Sequence, residues 1–212
     1  MAHEIRIETK ILKTYDPRVK KLEAYLLNYI QQWSILEYNL SELLRISLNL
    51  KPQHSNNIAY AIYHAPSSID ARFSIINACI TQMIHEKPIL QDMEVSWGKI
   101  FDNLQRLRPA RNILAHGAII SIAYYDKEYF RISTPTTNTR LLLKKIKDGN
   151  LPGLSENDMK NFLSNIEILN KCINEVCKII YDLHHKKKDV HEASSERFAR
   201  LEDYRRKLGG HK

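Results

Sequence analysis

Residues 16–52 read DPRVKKLEAYLLNYIQQWSILEYNLSELLRISLNLKP, and this stretch sets the fold class. Apolar side chains recur every three or four positions, the spacing that places them on one face of an α-helix. They are Val19, Leu22, Leu26, Tyr29, Ile30, Trp33, Leu36, Leu40, Leu43 and Leu44. Asp16 is a capping residue, and Pro17 suits the first helical turn. The stretch predicts a long first helix that ends near Lys51-Pro52.

The same spacing predicts further helices downstream. Residues 54–64 form a loop or a short helix, and Ser68 caps a second helix that stops before Lys87-Pro88. A third begins near Leu90 and reaches His116. Pro109 must kink or split it, because proline lacks an N–H, and Gly117 is placed to cap its end. Ser155 and Asp158 form a capping box that opens a last helix, which continues through Leu183.

One β-hairpin is expected directly after the third helix. Residues 118–125 and 129–132 are rich in β-branched and aromatic side chains, with a turn at 126–128 between them. Residues 134–154 are irregular, with at most one short helix. Residues 186–212 are strongly basic and nearly free of apolar side chains, which predicts an exposed helical extension or a disordered tail. We therefore expect an all-α bundle of four to five helices, with a hairpin insertion at about 118–133.

Composition sets the class of protein. With 212 residues and 43% hydrophobic residues, the chain supports one core, which we assign to residues 1–185. The sequence shows no signal peptide and no long apolar run, and its three cysteines lack the spacing of a disulfide framework. We therefore expect a cytoplasmic protein that has no membrane partner. The net charge of +8 favours a polyanionic partner only weakly.

The end of the third helix carries the candidate functional residues. On an ideal helix Arg111 lies within the stripe formed by the apolar side chains of Ile100, Leu104, Leu107 and Leu114. A guanidinium there needs an anion or water, because it does not lose its proton. Asn112 and His116 are four residues apart and share a neighbouring face with Arg108.

These groups suit cleavage of RNA without a metal ion or a cofactor. An imidazole can take a proton from a ribose 2′-OH or give one to the leaving oxygen. A guanidinium can hold the phosphate and stabilise its transition state, and an amide can orient either partner. The histidines and acidic residues lack the spacing of a metal site. The candidate catalytic residues are thus Arg111, Asn112 and His116, with Arg106 and Arg108 as candidate RNA contacts.

The run Arg111-Asn112-x-x-x-His116, followed by Gly117, resembles the R-x4-6-H motif of the HEPN superfamily. Trp33 and Glu37 on the first helix are similar to aromatic and acidic positions of related proteins. The resemblance implies a helical bundle, a homodimer whose composite cleft holds Arg111 and His116 of both subunits, and metal-independent endoribonuclease activity. Such activity often serves toxins or antiviral and stress defence, with an antitoxin or regulatory protein as a partner. The branch that pairs with nucleotidyltransferase antitoxins carries Tyr where this chain has Ala118.

Two alternatives remain open at this stage. The chain is either a catalytic HEPN nuclease or a non-catalytic HEPN module that dimerises and binds RNA or a protein. In the second case Arg111 is a structural residue that forms a salt bridge with Glu37, and His116 only caps its helix. Arg106 and Arg108 are then a solvated face. The basic tail is either a solvated extension or a source of salt-dependent affinity for RNA that does not depend on its sequence.

Overall fold

The computed structural model describes residues 6–8, 16–50, 52–124, 127–134, 151–185 and 190–208. It is mostly helical, as the sequence predicts, with a small antiparallel sheet. The helices are α1 (Pro17–Ser47), α2 (Pro52–His64), α3 (Ile69–Glu86), α4 (Glu94–His116), α5 (Glu156–His184) and α6 (Val190–Lys207), and the strands are β1 (Arg6–Glu8), β2 (Ala118–Tyr124) and β3 (Lys127–Ser133). A 3-10 segment, Pro88–Met93, precedes α4.

Two compact units make up the chain. The first contains residues 1–31 and 107–163, and the second contains residues 32–106 and 164–212. Helices α1, α4 and α5 are each divided between the two units, with one part of the helix in each unit. The sheet and the end of α4 belong to the first unit, so the motif residues from Arg108 onward belong to it as well.

The sheet of the first unit has the order β1-β2-β3 among the described strands. Strands β2 and β3 form the hairpin that the sequence predicts, with Ile119 opposite Ile132. Strand β1 was not predicted. It pairs antiparallel with β2, with Arg6 opposite Ala123. Its three residues are too few to give a clear alternating pattern, so local sequence could not reveal it.

The far edge of the sheet leads into α5. Leu154 exchanges two backbone hydrogen bonds with Ile132, at 2.8 and 3.0 Å. Gly153 before it has φ of 83°, and a Cβ there would lie 2.5 Å from the carbonyl oxygen of Ile132, so this position requires glycine. The predicted capping box follows and is confirmed. The backbone N–H of Asp158 donates to Ser155 Oγ at 3.1 Å, and that of Ser155 donates to Asp158 Oδ2 at 2.8 Å.

The core of the second unit is built by the predicted helical stripes. Leu36, Leu40 and Leu43 of α1 have no exposed surface. Within this core the side-chain amide of Asn39 donates to Asn170 Oδ1 at 2.9 Å, which joins α1 to α5. Among the helices that the structure describes, none combines the length and apolar content that a membrane span requires.

Two helices are more continuous than the sequence suggested. Residues 54–64, expected to be a loop or a short helix, lie within the regular helix α2. Helix α4 runs through Pro109 without a break, so the proline does not split it. The lost hydrogen bond is offset by burial on both sides of the proline, because Leu107 and Leu114 are each at most 6% exposed.

The basic extension forms a helix between Val190 and Lys207, one of the two expected alternatives, but it is packed and not simply exposed. Leu201 and Leu208 are buried. Arg197 forms an ion pair with Asp182 of α5, whose Oδ2 lies 2.9 Å from its Nε, and Arg200 lies 3.4 Å from Glu175 Oε2. Both carboxylates are buried, so the arginines of α6 have partners inside the protein and do not form a purely solvated face.

We expect this cluster to make stability depend on pH. Burial raises the pKa of Glu175, but Lys178 and Arg200 outweigh that effect and hold the pKa below its ordinary value of 4.5. The carboxylate therefore stabilises the fold fully above pH 4.5, and this contribution is lost as the pH falls through the lower folded-state pKa. Urea unfolding from pH 7 to 3 should show a steeper loss of stability for wild type than for Glu175→Gln. Parallel curves would contradict the expectation.

Candidate functional site

The predicted motif residues lie in the last turns of α4. The apolar stripe is present, since Ile100, Leu104, Leu107 and Leu114 are all buried. Arg111 is half-buried, as expected from its place on that stripe, whereas Asn112 and His116 are exposed. His116 is the last residue of the helix. The imidazole of His116 and the side-chain amide of Asn112 are therefore open to solvent, whereas the guanidinium of Arg111 is partly shielded from it.

Arg111 has an unusual environment for a half-buried cation. Its Nε is shielded from solvent and has no hydrogen-bond partner among the described residues. Its Nη1 donates to Asn112 Oδ1 at 3.4 Å, a long contact with a neutral neighbour. Within the described part of the chain no carboxylate forms an ion pair with it. A shielded guanidinium normally has an anionic partner, and the described residues supply none to Arg111.

Glu37, the expected structural partner of Arg111, has another partner. Its Oε1 accepts a hydrogen bond from Arg72 Nη1 of α3 at 3.0 Å. Arg72 is fixed further by a bond from its Nε to the carbonyl oxygen of Pro66 at 3.1 Å. Both side chains of this pair are mostly buried. Within the second unit Glu37 is therefore paired with Arg72, a partner that the order of residues in the sequence could not indicate.

The two candidate RNA-contacting arginines differ in their surroundings. Arg106 is exposed, whereas Arg108 is half-buried. Residues 108 and 112, and 112 and 116, are each four apart, so consecutive members of this series are neighbours on the helix surface. Arg111 and His116 are five apart, which separates them by roughly 140° around the helix axis. One copy of α4 therefore directs its guanidinium and its imidazole to different sides.

Gly117 lies between α4 and β2, but the reason that glycine is needed there differs from the predicted helix cap. Its φ is not in the left-handed region, where Gly153 is found. A Cβ at Gly117 would lie 2.3 Å from the carbonyl oxygen of Ile113 and 3.1 Å from Ile132 Cγ2. The residue is therefore required by close approach to the helix end and to β3, and it fixes where His116 is presented.

We expect Gly117→Ala to lower the free energy of unfolding by about 1–3 kcal/mol, the cost of forcing an extra methyl group into packed surroundings. Gly98→Ala, inside the helix that Gly117 follows, is the control, because a Cβ at Gly98 meets nothing within 4 Å. Alanine is the better helix former, so the control should gain roughly 0.5–1 kcal/mol. Urea unfolding of both variants tests this. Equal effects at the two positions would contradict the contacts of Gly117.

Other groups offer little alternative chemistry. Burial raises the pKa of Cys172 and of Cys177 to about 12, and it also raises the pKa of Cys79, so these thiols remain protonated near neutral pH. Among the described residues no group of three histidine, cysteine or acidic side chains is arranged to hold a metal ion.

Comparison of the chain with protein-family models, with curated proteins and with solved structures gave no match.

Proposed function

We propose that this chain is an endoribonuclease of the HEPN type that cleaves RNA without a metal ion. The observation that supports the proposal most is Arg111, which lies five residues before the exposed His116. It is a half-buried cation with a shielded Nε and no carboxylate partner among the described residues. The family resemblance of the Arg111–Gly117 run points to the same chemistry. RNA supplies the anionic partner that Arg111 does not find among the described residues.

His116 performs the proton transfer in this proposal. As a neutral imidazole it takes the proton of a ribose 2′-OH, and the resulting oxygen attacks the adjacent phosphorus. The bond from phosphorus to the 5′-oxygen breaks, and that oxygen receives a proton from a second acid. The products are a 2′,3′-cyclic phosphate and a free 5′-OH. Its exposed position at the end of α4 leaves the imidazole accessible to a polymer substrate.

Arg111 stabilises the negative charge that develops on the phosphate. A guanidinium donates to two phosphate oxygens at once, which fixes the geometry as well as the charge. Asn112, already in contact with Arg111 Nη1, holds that guanidinium or the phosphate in position. Arg106 and Arg108 contact the RNA backbone on either side of the cleaved bond.

A homodimer completes the site in this proposal. Because Arg111 and His116 of one α4 are separated by roughly 140°, a second copy supplies the complementary groups and the second acid. The resemblance extends the proposal to a cytoplasmic toxin or defence nuclease whose activity an antitoxin or another regulatory protein controls.

A second function has one observation in its favour. Large apolar side chains are exposed on the parts of α1 and α2 in the second unit, a surface suited to binding another protein. They are Ile35, Tyr38, Ile58, Tyr60 and Ile62. In this alternative the chain is a non-catalytic HEPN module, and RNA remains uncut under all conditions.

The deciding experiment is cleavage of a panel of tRNA, rRNA and mRNA fragments in EDTA, with mapping of the product ends. Wild type should cut in EDTA and leave 2′,3′-cyclic phosphates, with no increase when Mg²⁺ replaces EDTA. Products with 3′-OH and 5′-phosphate ends would contradict the mechanism, because they require cleavage of the bond from phosphorus to the 3′-oxygen. Folded wild-type protein that cuts no member of the panel would favour the binding module.

A further inference from the structure

A groove between α1 and α2 in the second unit has features of a binding site outside the motif. Its volume is about 260 Å³. Pockets that enclose whole drug-sized ligands measure roughly 300–1,000 Å³, so this groove has room for one ring system rather than a large cofactor. The described residues that line it are Tyr38, Ser41, Glu42, Arg45, Asn57, Ala59 and Tyr60.

Two tyrosines of this groove are far more exposed than aromatic side chains usually are. Tyr38 is 62% exposed and Tyr60 is 53% exposed. The ring of Tyr60 lies against that of His64, with 4.1 Å between the centroids, so His64 supports Tyr60 and restricts its motion. A supported tyrosine with an open surface can stack on another flat ring.

The polar side chains of the groove provide both kinds of hydrogen-bonding group. Arg45 and Glu42 form a two-pronged ion pair, in which Nε donates to Oε2 at 2.7 Å and Nη2 donates to Oε1. Arg45 Nη1 also donates to the carbonyl oxygen of Leu50. These bonds use three of the five guanidinium N–H groups and leave further lone pairs on the carboxylate. Donors and acceptors therefore lie side by side, while the pair as a whole carries no net charge.

We propose that this groove binds an unpaired nucleobase of single-stranded RNA. A nucleobase is flat, carries adjacent donors and acceptors on its edge, and is small enough for the volume available. The base stacks on Tyr60 or Tyr38, and its edge contacts the Glu42–Arg45 pair and Asn57. A base in a duplex presents no free face, so the groove selects single strands. The choice of RNA rests on the proposed function, and the net charge of +8 suits the same polyanion.

The test uses the full chain and a fluorescent single-stranded oligonucleotide with 2′-O-methyl groups, which has no 2′-OH and cannot be cleaved. Anisotropy gives the affinity of wild type, Tyr60→Ala, Tyr60→Phe, Tyr38→Ala and Tyr181→Ala. Stacking on an aromatic side chain contributes enough that Tyr60→Ala should weaken binding at least about fivefold. Tyr60→Phe should bind like wild type. Tyr181→Ala is the control, because Tyr181 is 40% exposed in the same unit but does not line this groove.

Three outcomes would overturn the proposal. The first is that Tyr60→Ala and Tyr38→Ala both bind the oligonucleotide like wild type. The second is that a duplex of the same sequence binds as tightly as the single strand. The third is that nucleoside monophosphates bind as tightly as the oligonucleotide. The last result would assign the groove to free nucleotides instead. Because the probe cannot be cut, the result is independent of catalysis. A wild type that fails to cleave RNA but shows the Tyr60 effect would refute the proposed nuclease and leave this inference standing.

Discussion

Replacing His116 with alanine is expected to slow RNA cleavage by about 10²–10⁴-fold, the usual contribution of a positioned acid or base. The protein should keep its fold, because the exposed imidazole at the end of α4 fills no part of the core. Initial rates of cleavage in EDTA, together with the thermal unfolding midpoint, measure both effects on matched preparations.

His85→Ala is the control for this substitution. His85 is also exposed and also lies in the last turn of a helix, α3, but it belongs to the second unit. It should cleave at the wild-type rate. If both histidine variants retain full activity while the wild type cuts RNA, the catalytic centre lies elsewhere in the chain. If both lose activity to the same extent, the loss has no specific connection with the motif.

Arg197→Ala is expected to lower the free energy of unfolding by about 3 kcal/mol. Breaking a buried ion pair costs about 3–5 kcal/mol, and the lower end applies because the Arg197 side chain is 21% exposed. Its Nε lies 2.9 Å from the carboxylate of Asp182, which is only 3% exposed. The substitution removes this cation and leaves the carboxylate in a poorly solvated position. Urea unfolding at pH 7 and constant salt measures the change.

Arg200→Ala provides the comparison on the same helix. The Arg200 side chain is 46% exposed, and its contact with Glu175 is longer, at 3.4 Å. The half-exposed guanidinium is screened by solvent, and Glu175 keeps Lys178 as a partner at 2.7 Å, so this variant should lose at most about 1 kcal/mol. A loss for Arg200→Ala equal to that for Arg197→Ala would mean that burial of the pair does not determine its strength.

The features that could be predicted from sequence are local ones. Leu36, Leu40 and Leu43 repeat at helical spacing, and that spacing alone identifies both the helix and its buried face. The capping box at Ser155 and Asp158 needs only four consecutive residues. The end of α4 was also predictable, including the partial burial of Arg111, since an ideal helix already places it on the apolar stripe.

The features that sequence reasoning missed depend on residues far apart in the chain. The partner of Glu37 is Arg72, which lies on a different helix. Gly117 was expected to cap the end of α4, but the structure requires glycine there because β3 approaches the helix end. Leu201 and Leu208 are two apolar positions in a strongly charged segment, too few to predict that α6 packs. Tyr38 and Tyr60 lie on different helices, and no sequence motif indicated that they line the same groove.

The pairing of β1 with β2 has a consequence for how the protein folds. Strands β2 and β3 are joined by a short turn, so their hairpin can form within microseconds. Pairing Arg6 with Ala123 instead closes a loop of more than a hundred residues, which carries a much larger entropic cost. The third strand should therefore join late, after the hairpin has formed. Until it does, the outer edge of β2 is an open template, and association between nascent chains at that edge competes with folding.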